Sequence, residues 1–143
     1  MSFQTLDVDA DFALFQGQVP GLIVPFYVNE RPLQGLAGLM DWRLRGALSK
    51  SIRSGAFDGH EGECVYYPFS KRGQAYHLFL AGAGHRTPYG RRGLVSDDVF
   101  RTVKKNLLGL KFTSVGLSKS DFGNLTEDYL VNQLKGVDLW IAR

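Results

Sequence analysis

The sequence predicts an α/β fold of three layers, α/β/α, around a mixed central sheet. Three observations carry this. Short β-forming apolar runs recur along the chain, helical periodicity separates them, and the later elements alternate strand, helix, strand, helix, strand. The chain has 143 residues, 44% of them hydrophobic and 13% aromatic. That is enough for one core of ordinary domain size, so a single domain over 1–143 is expected.

Taken in order, Phe3 to Val8 alternates loosely and is expected to open the sheet. Leu22 to Val28, LIVPFYV, is a near-continuous apolar run of the kind that fills a strand buried on both faces. Pro25 inside it lacks a ladder donor and is expected at an edge or a bulge. Leu33, Leu36, Met40, Leu44, Ala47, Leu48 and Ile52 then recur at three- and four-residue steps, predicting one long helix. Pro32 suits its first turn, and Gly55 its left-handed end. Asp41, Arg43, Arg45 and Lys50 fall on its wet side.

Two β-rich runs follow, Cys64 to Phe69 and Tyr76 to Ala81, joined by SKRGQ, which predicts a hairpin. A Gly/Pro-rich loop leads to Ser96, an N-cap candidate with Asp97 and Asp98 in the first turn. Val99, Phe100, Val103, Leu107 and Leu108 make that helix's apolar face, and Gly109 its stop. Phe112 to Leu117 reads as a strand, Thr126 to Leu134 as a short helix, and VDLWIA as the last strand.

Composition narrows the function classes. No run approaches the roughly 20 apolar residues of a membrane span. The start shows no basic segment followed by an apolar one, so no secretory signal is read. Cys64 is the single cysteine, which excludes an intramolecular disulfide and fits a reducing cytoplasm. The net charge of +3 is modest, but its distribution is not. Arg86, Arg91, Arg92, Arg101, Lys104, Lys105 and Lys111 crowd one stretch, opposed there only by Asp97 and Asp98.

The stretch from Leu22 through the loop Gly55-Ala56-Phe57-Asp58-Gly59-His60-Glu61-Gly62-Glu63 to the turn Leu80-Ala81-Gly82-Ala83-Gly84 resembles the amino-terminal domain of cytosolic leucyl aminopeptidases. The order and spacing of these pieces carry the resemblance, which covers roughly Leu22 to Leu117. His60 stands where that family has lysine. The resemblance implies a macro-like α/β/α fold. It also implies a non-catalytic role, because the family's metal-binding half, with its Asn-Thr-Asp-Ala-Glu-Gly-Arg segment, has no counterpart here. No catalytic residue, metal or cofactor is therefore assigned. Gly55, Gly59 and Gly62 let the loop reverse, Phe57 is expected to anchor it, and Gly82 and Gly84 to end a buried strand tightly.

Three constellations each admit a functional and a plainer reading. His60, Glu61, Glu63 and Cys64 are all ligand types, but their spacing matches no zinc motif, and a solvated loop is the simpler reading. Gly82-Ala83-Gly84 follows a strand as a phosphate loop would, yet the next helix starts only near Ser96. Arg86, Tyr89, Arg91, Arg92, Lys104 and Lys105 combine cations with a stacking ring and are the candidate anion or nucleic-acid contacts. The resulting expectation is a non-catalytic interaction or regulatory module that self-associates or docks on an intact aminopeptidase. Nucleic-acid binding through 86–111 and a macro-like nucleotide or ADP-ribose pocket are the alternatives.

Overall fold

The computed structural model describes residues 3–85, 95–123 and 125–143. In chain order the elements are β1 (Phe3–Thr5), α1 (Ala10–Phe15), β2 (Leu22–Phe26), α2 (Gly35–Arg43), α3 (Ala47–Arg53), β3 (Cys64–Lys71), β4 (Gln74–Gly82), α4 (Asp97–Gly109), β5 (Ser114–Ser118), α5 (Glu127–Gln133) and β6 (Asp138–Ala142), with a 3₁₀ turn at Lys119–Phe122. The strands form one six-stranded sheet in the order β1-β6-β5-β2-β4-β3. Every neighbouring pair is parallel except the β3–β4 hairpin.

Alternation along the central strands divides the core in two. Leu22, Val24 and Phe26 of β2, with Leu78 and Leu80 of β4, pack under α1, α2 and α3. Ile23, Phe79 and Ala81 face the other way, against Val99, Phe100, Val103 and Leu107 of α4 and Leu130 of α5. The mixed sheet between two helical layers is the predicted fold class.

Pro25 lies on a central strand, against the edge expectation, and the register explains how. The Phe26 carbonyl accepts from Ala83 N–H on the β4 side, so the alternating Pro25 backbone faces β5. Pairing of β2 with β5 stops at Leu22↔Gly116 and Ile23↔Leu117. The missing proline donor therefore falls where the ladder has already ended.

Four local readings need correction. The predicted long helix is two helices, because Arg45 (φ 57) and Gly46 (φ 81) adopt left-handed conformations between α2 and α3. Pro32 lies outside α2, which begins at Gly35. Asp41 and Arg43 are not simply solvated. The Asp41 carboxylate accepts from the N–H and hydroxyl of Ser49, and Arg43 Nε donates to buried Asp11 at 2.5 Å. Leu108 is exposed rather than part of the α4 core face. Helix α1 is too short to show periodicity and was not predicted. Among the described residues no helix is long and apolar enough to cross a membrane.

Candidate functional site

In open α/β sheets, ligands bind outside the carboxyl ends of strands whose connections leave in opposite directions. Here that point lies between β2 and β5. The chain leaves β2 towards β3 and β4 on one side, and leaves β5 towards β6 on the other. It is also where the β2–β5 pairing ends, after Ile23↔Leu117.

Two segments meet at this edge. The 3₁₀ turn after β5 carries Asp121, which is fully buried and accepts the Leu36 N–H in the first turn of α2 at 3.2 Å. These residues are 85 apart in sequence. Beside them a cavity of ≈ 380 Å³ is lined by Asp9, Gly35, Leu36, Ser118, Ser120 and Arg143 among others. Ser118 Oγ donates to the Arg143 carbonyl at 2.5 Å and lies 2.9 Å from Ser120 Oγ. Among the described residues the Arg143 guanidinium makes only long ion pairs, 3.6 Å to Asp9 and 3.9 Å to Asp7. Two hydroxyls, a loosely held guanidinium and the positive start of a helix are groups that suit an anionic oxygen cluster.

The glycine loop closes the other flank of the edge. Gly55, Gly59 and Gly62 all have positive φ, as the reversals require, and Phe57 is buried against Phe26 and Tyr67. Gly82 N–H donates to the Glu63 carbonyl and Gly84 N–H to the Gly59 carbonyl, so loop and strand end are stitched together. Gly82 has ordinary backbone angles. It is needed because the loop backbone passes where a Cβ would sit. The Ser96 side chain makes no cap bond to α4 and donates instead to Glu61 at 2.9 Å.

The sequence grouping of His60, Glu61, Glu63 and Cys64 is split. Glu61 turns to Ser96, and Cys64 enters β3 against the α4-side core, where burial pushes its thiol up to about 11. A thiol held so far from ionisation is no nucleophile. Asp58 joins His60 and Glu63 instead, their ligand-type atoms within 4.8 Å of one another. Hydrogen bonds account for this cluster. Glu63 accepts the amides of Asp58 and Gly59, and Asp58 accepts both the amide and the ring Nδ1 of His60. The ring bond to Asp58 raises the His60 pKa, and the His60 amide, followed by its ring, lowers that of Asp58.

By linkage, a raised histidine pKa supplies stability at low pH that is lost as pH rises through the folded value, and a lowered carboxyl pKa supplies stability lost as pH falls. A proton NMR titration is expected to place the His60 midpoint above that of a free histidine, and Asp58→Asn to bring it down. An unmoved midpoint in the variant would show that the pair does not form in solution.

Of the predicted anion contacts, Arg86, Tyr89, Arg91 and Arg92 lie outside the described residues. Lys104 and Lys105 are on α4. Lys105 borders a shallow depression of ≈ 680 Å³ with Arg101 and Gly62, whereas Lys104 is not part of its lining. The switch-point serines, Arg143 and Asp121 were not singled out in the sequence, since only the strand order brings them together.

No family model and no curated protein matches the sequence. Solved structures do match. The macrodomain of Mycobacterium tuberculosis DarG superposes with a TM-score of 0.66 at 14% identity, over 99% of this chain and 98% of that one. Thermosipho africanus DarTG in complex with ADP-ribose gives 0.61 at 10% identity, over the whole of this chain and 42% of that one. The fold is macrodomain-like. Tomato leucine aminopeptidase, a K354E mutant, gives 0.65 at 14% identity, and this chain spans 32% of its length. The aminopeptidase resemblance read from the sequence thus has a counterpart in structure, at the level of fold.

Proposed function

We propose that this chain is a non-catalytic, macrodomain-like binding module whose carboxyl-edge cavity takes an ADP-ribose-class ligand, with the phosphates at Ser118, Ser120, Arg143 and the start of α2. The observation that carries this reading is the place of the cavity at the carboxyl ends of β5 and β6, next to the sheet's switch point. The likeness to a macrodomain-containing protein bound to ADP-ribose supports it, as does the donor set. Asp121 already takes the Leu36 amide and Ser118 gives its proton to the Arg143 carbonyl, so the Arg143 guanidinium does most of the anion binding, joined by Ser120 once its hydroxyl turns from Ser118.

A second reading, closer to the aminopeptidase resemblance, is docking on another copy or on an intact aminopeptidase. It is supported by Phe12, Leu39 and Trp42, which stand exposed on α1 and α2, Trp42 by 75%. Calorimetric titration with ADP-ribose is expected to show saturable binding that Arg143→Ala weakens about tenfold, the loss of roughly 1.4 kcal/mol. Absence of binding, or binding indifferent to Arg143→Ala and Ser120→Ala, would remove the ligand reading. Light scattering on the same samples reports self-association.

A further inference from the structure

At the opposite, amino edge of the sheet lies a second concavity that the carboxyl-edge reading does not use. Its larger part, ≈ 420 Å³, is lined by Phe15, Gln16, Gln74, Tyr76, His77 and Phe112 among others. A smaller part of ≈ 260 Å³ shares Phe15, Gln16 and Tyr76 and adds Arg43, Lys71 and Arg72. An apolar, aromatic lining with a few polar groups at one end is the usual make-up of a small-molecule site.

The two parts differ in chemistry. Phe15 and Tyr76 meet edge to face at 4.9 Å, and His77 is fixed by the Tyr66 hydroxyl at 2.7 Å. This leaves a firm aromatic lining in the larger part. In the smaller part the Arg43 guanidinium lies 5.1 Å and the Lys71 ammonium 5.0 Å from the Phe15 ring centroid. Asp11 balances Arg43. Among the described residues no acid lies within ion-pair distance of Lys71 or Arg72. The smaller compartment therefore holds uncompensated positive charge.

The hairpin turn adds an independent observation. Arg72 (φ 54) and Gly73 (φ 77) form a two-residue turn with both central residues left-handed. Asn is at home at the first of these positions, and a long cation there is strained. The turn thus holds over the cavity an arginine with no ion-pair partner among the described residues, at a cost to the fold, and strain of this kind gathers at ligand sites.

We infer that the amino-edge concavity binds a small aromatic anion, its ring against Phe15, Tyr76 and Phe112 and its phosphate or carboxylate between Lys71 and Arg72. The inference is independent of the carboxyl-edge reading. The test is an ¹⁵N NMR titration of the whole chain with phenyl phosphate, with inorganic phosphate and benzyl alcohol as the two halves of the ligand. Saturable shifts are expected at Gln16, Gln74, Tyr76 and His77, and each half should bind at least about tenfold more weakly than phenyl phosphate.

Lys71→Gln with Arg72→Asn should weaken phenyl phosphate binding at least about tenfold while the melting temperature stays level or rises, because the turn is relieved. A purely structural role for Arg72 predicts no such loss. Shifts confined to other residues, non-saturable shifts, or unchanged affinity in the double variant would overturn the assignment. Titrating the same variant with ADP-ribose reads the other edge separately, so failure here and failure there remain distinct.

Discussion

Gly82→Ala is expected to destabilise the protein by about 3 kcal/mol or more, at or beyond the upper end of what one added methyl costs in a packed interior. A Cβ on Gly82 would stand 2.1 Å from the His60 carbonyl oxygen and 2.9 Å from the carbonyl carbon and oxygen of Gly59. All of these are backbone atoms, so no rotamer change relieves the collision. Nor can the loop withdraw cheaply. It is fixed by the Gly82–Glu63 and Gly84–Gly59 backbone bonds at 2.7 and 2.8 Å, by the Glu63 carboxylate on two loop amides, and by buried Phe57. Moving it breaks these bonds and uncovers Phe57 and Phe26. Gly84→Ala is the control. Among the described residues its Cβ would meet only Glu61, at 3.5 Å to Cβ and 3.8 Å to the amide nitrogen, both ordinary contacts, so the cost is that of a left-handed alanine, about 1–2 kcal/mol. Urea melts of the two variants should separate clearly. A Gly82→Ala protein within about 1 kcal/mol of wild type would mean that the loop does not cross the end of β4 in solution.

How much of this was legible in the sequence depends on the distance over which each feature is written. Local patterns marked the strands, the hairpin, α4 and α5, because alternation, turn glycines and helical spacing are signals within a few residues; the Thr126 hydroxyl, not singled out, caps α5 by accepting the Tyr129 amide. The break between α2 and α3 was hidden. Leu36, Met40 and Leu48 are all buried and keep the helical spacing across it, while Arg45, an unusual residue for a left-handed turn, gives no warning. Pro25 was read as an obstacle to a central strand because the sequence does not reveal on which side the ladder ends. The candidate sites lay beyond reach for a related reason. The carboxyl-edge cavity joins Gly35 to Ser118 and Arg143, and the amino-edge cleft joins Phe15 to Lys71 and Phe112, so both exist only once strand order is known.

The hidden helix break changes what the apolar stripe predicts, and Leu48→Ala against Leu44→Ala measures the change. As one continuous helix, both leucines would be equivalent core residues. With the chain broken at Arg45–Gly46, Leu44 becomes the half-buried cap of α2, while Leu48 is the only buried residue of α3, 1% exposed. Helix α3 has seven residues and no side-chain cap, so it is far too short to persist on its own propensity. Its place depends on Leu48, which enters the same core as Met40, Val24, Leu78 and Phe57. Truncation removes that contact and leaves a cavity beneath a helix otherwise held by the Asp41–Ser49 bonds and partly buried Ile52. Leu48→Ala is therefore expected to cost about 2–5 kcal/mol, within the range for buried leucines, and Leu44→Ala about 1 kcal/mol, as ordinary partly buried substitutions do. Hydrogen exchange should also show the amides of α3 losing protection in Leu48→Ala before those of β2 and β4, since local opening follows the loss of local burial. Equal costs for the two variants would restore the continuous helix and put the break between α2 and α3 in error.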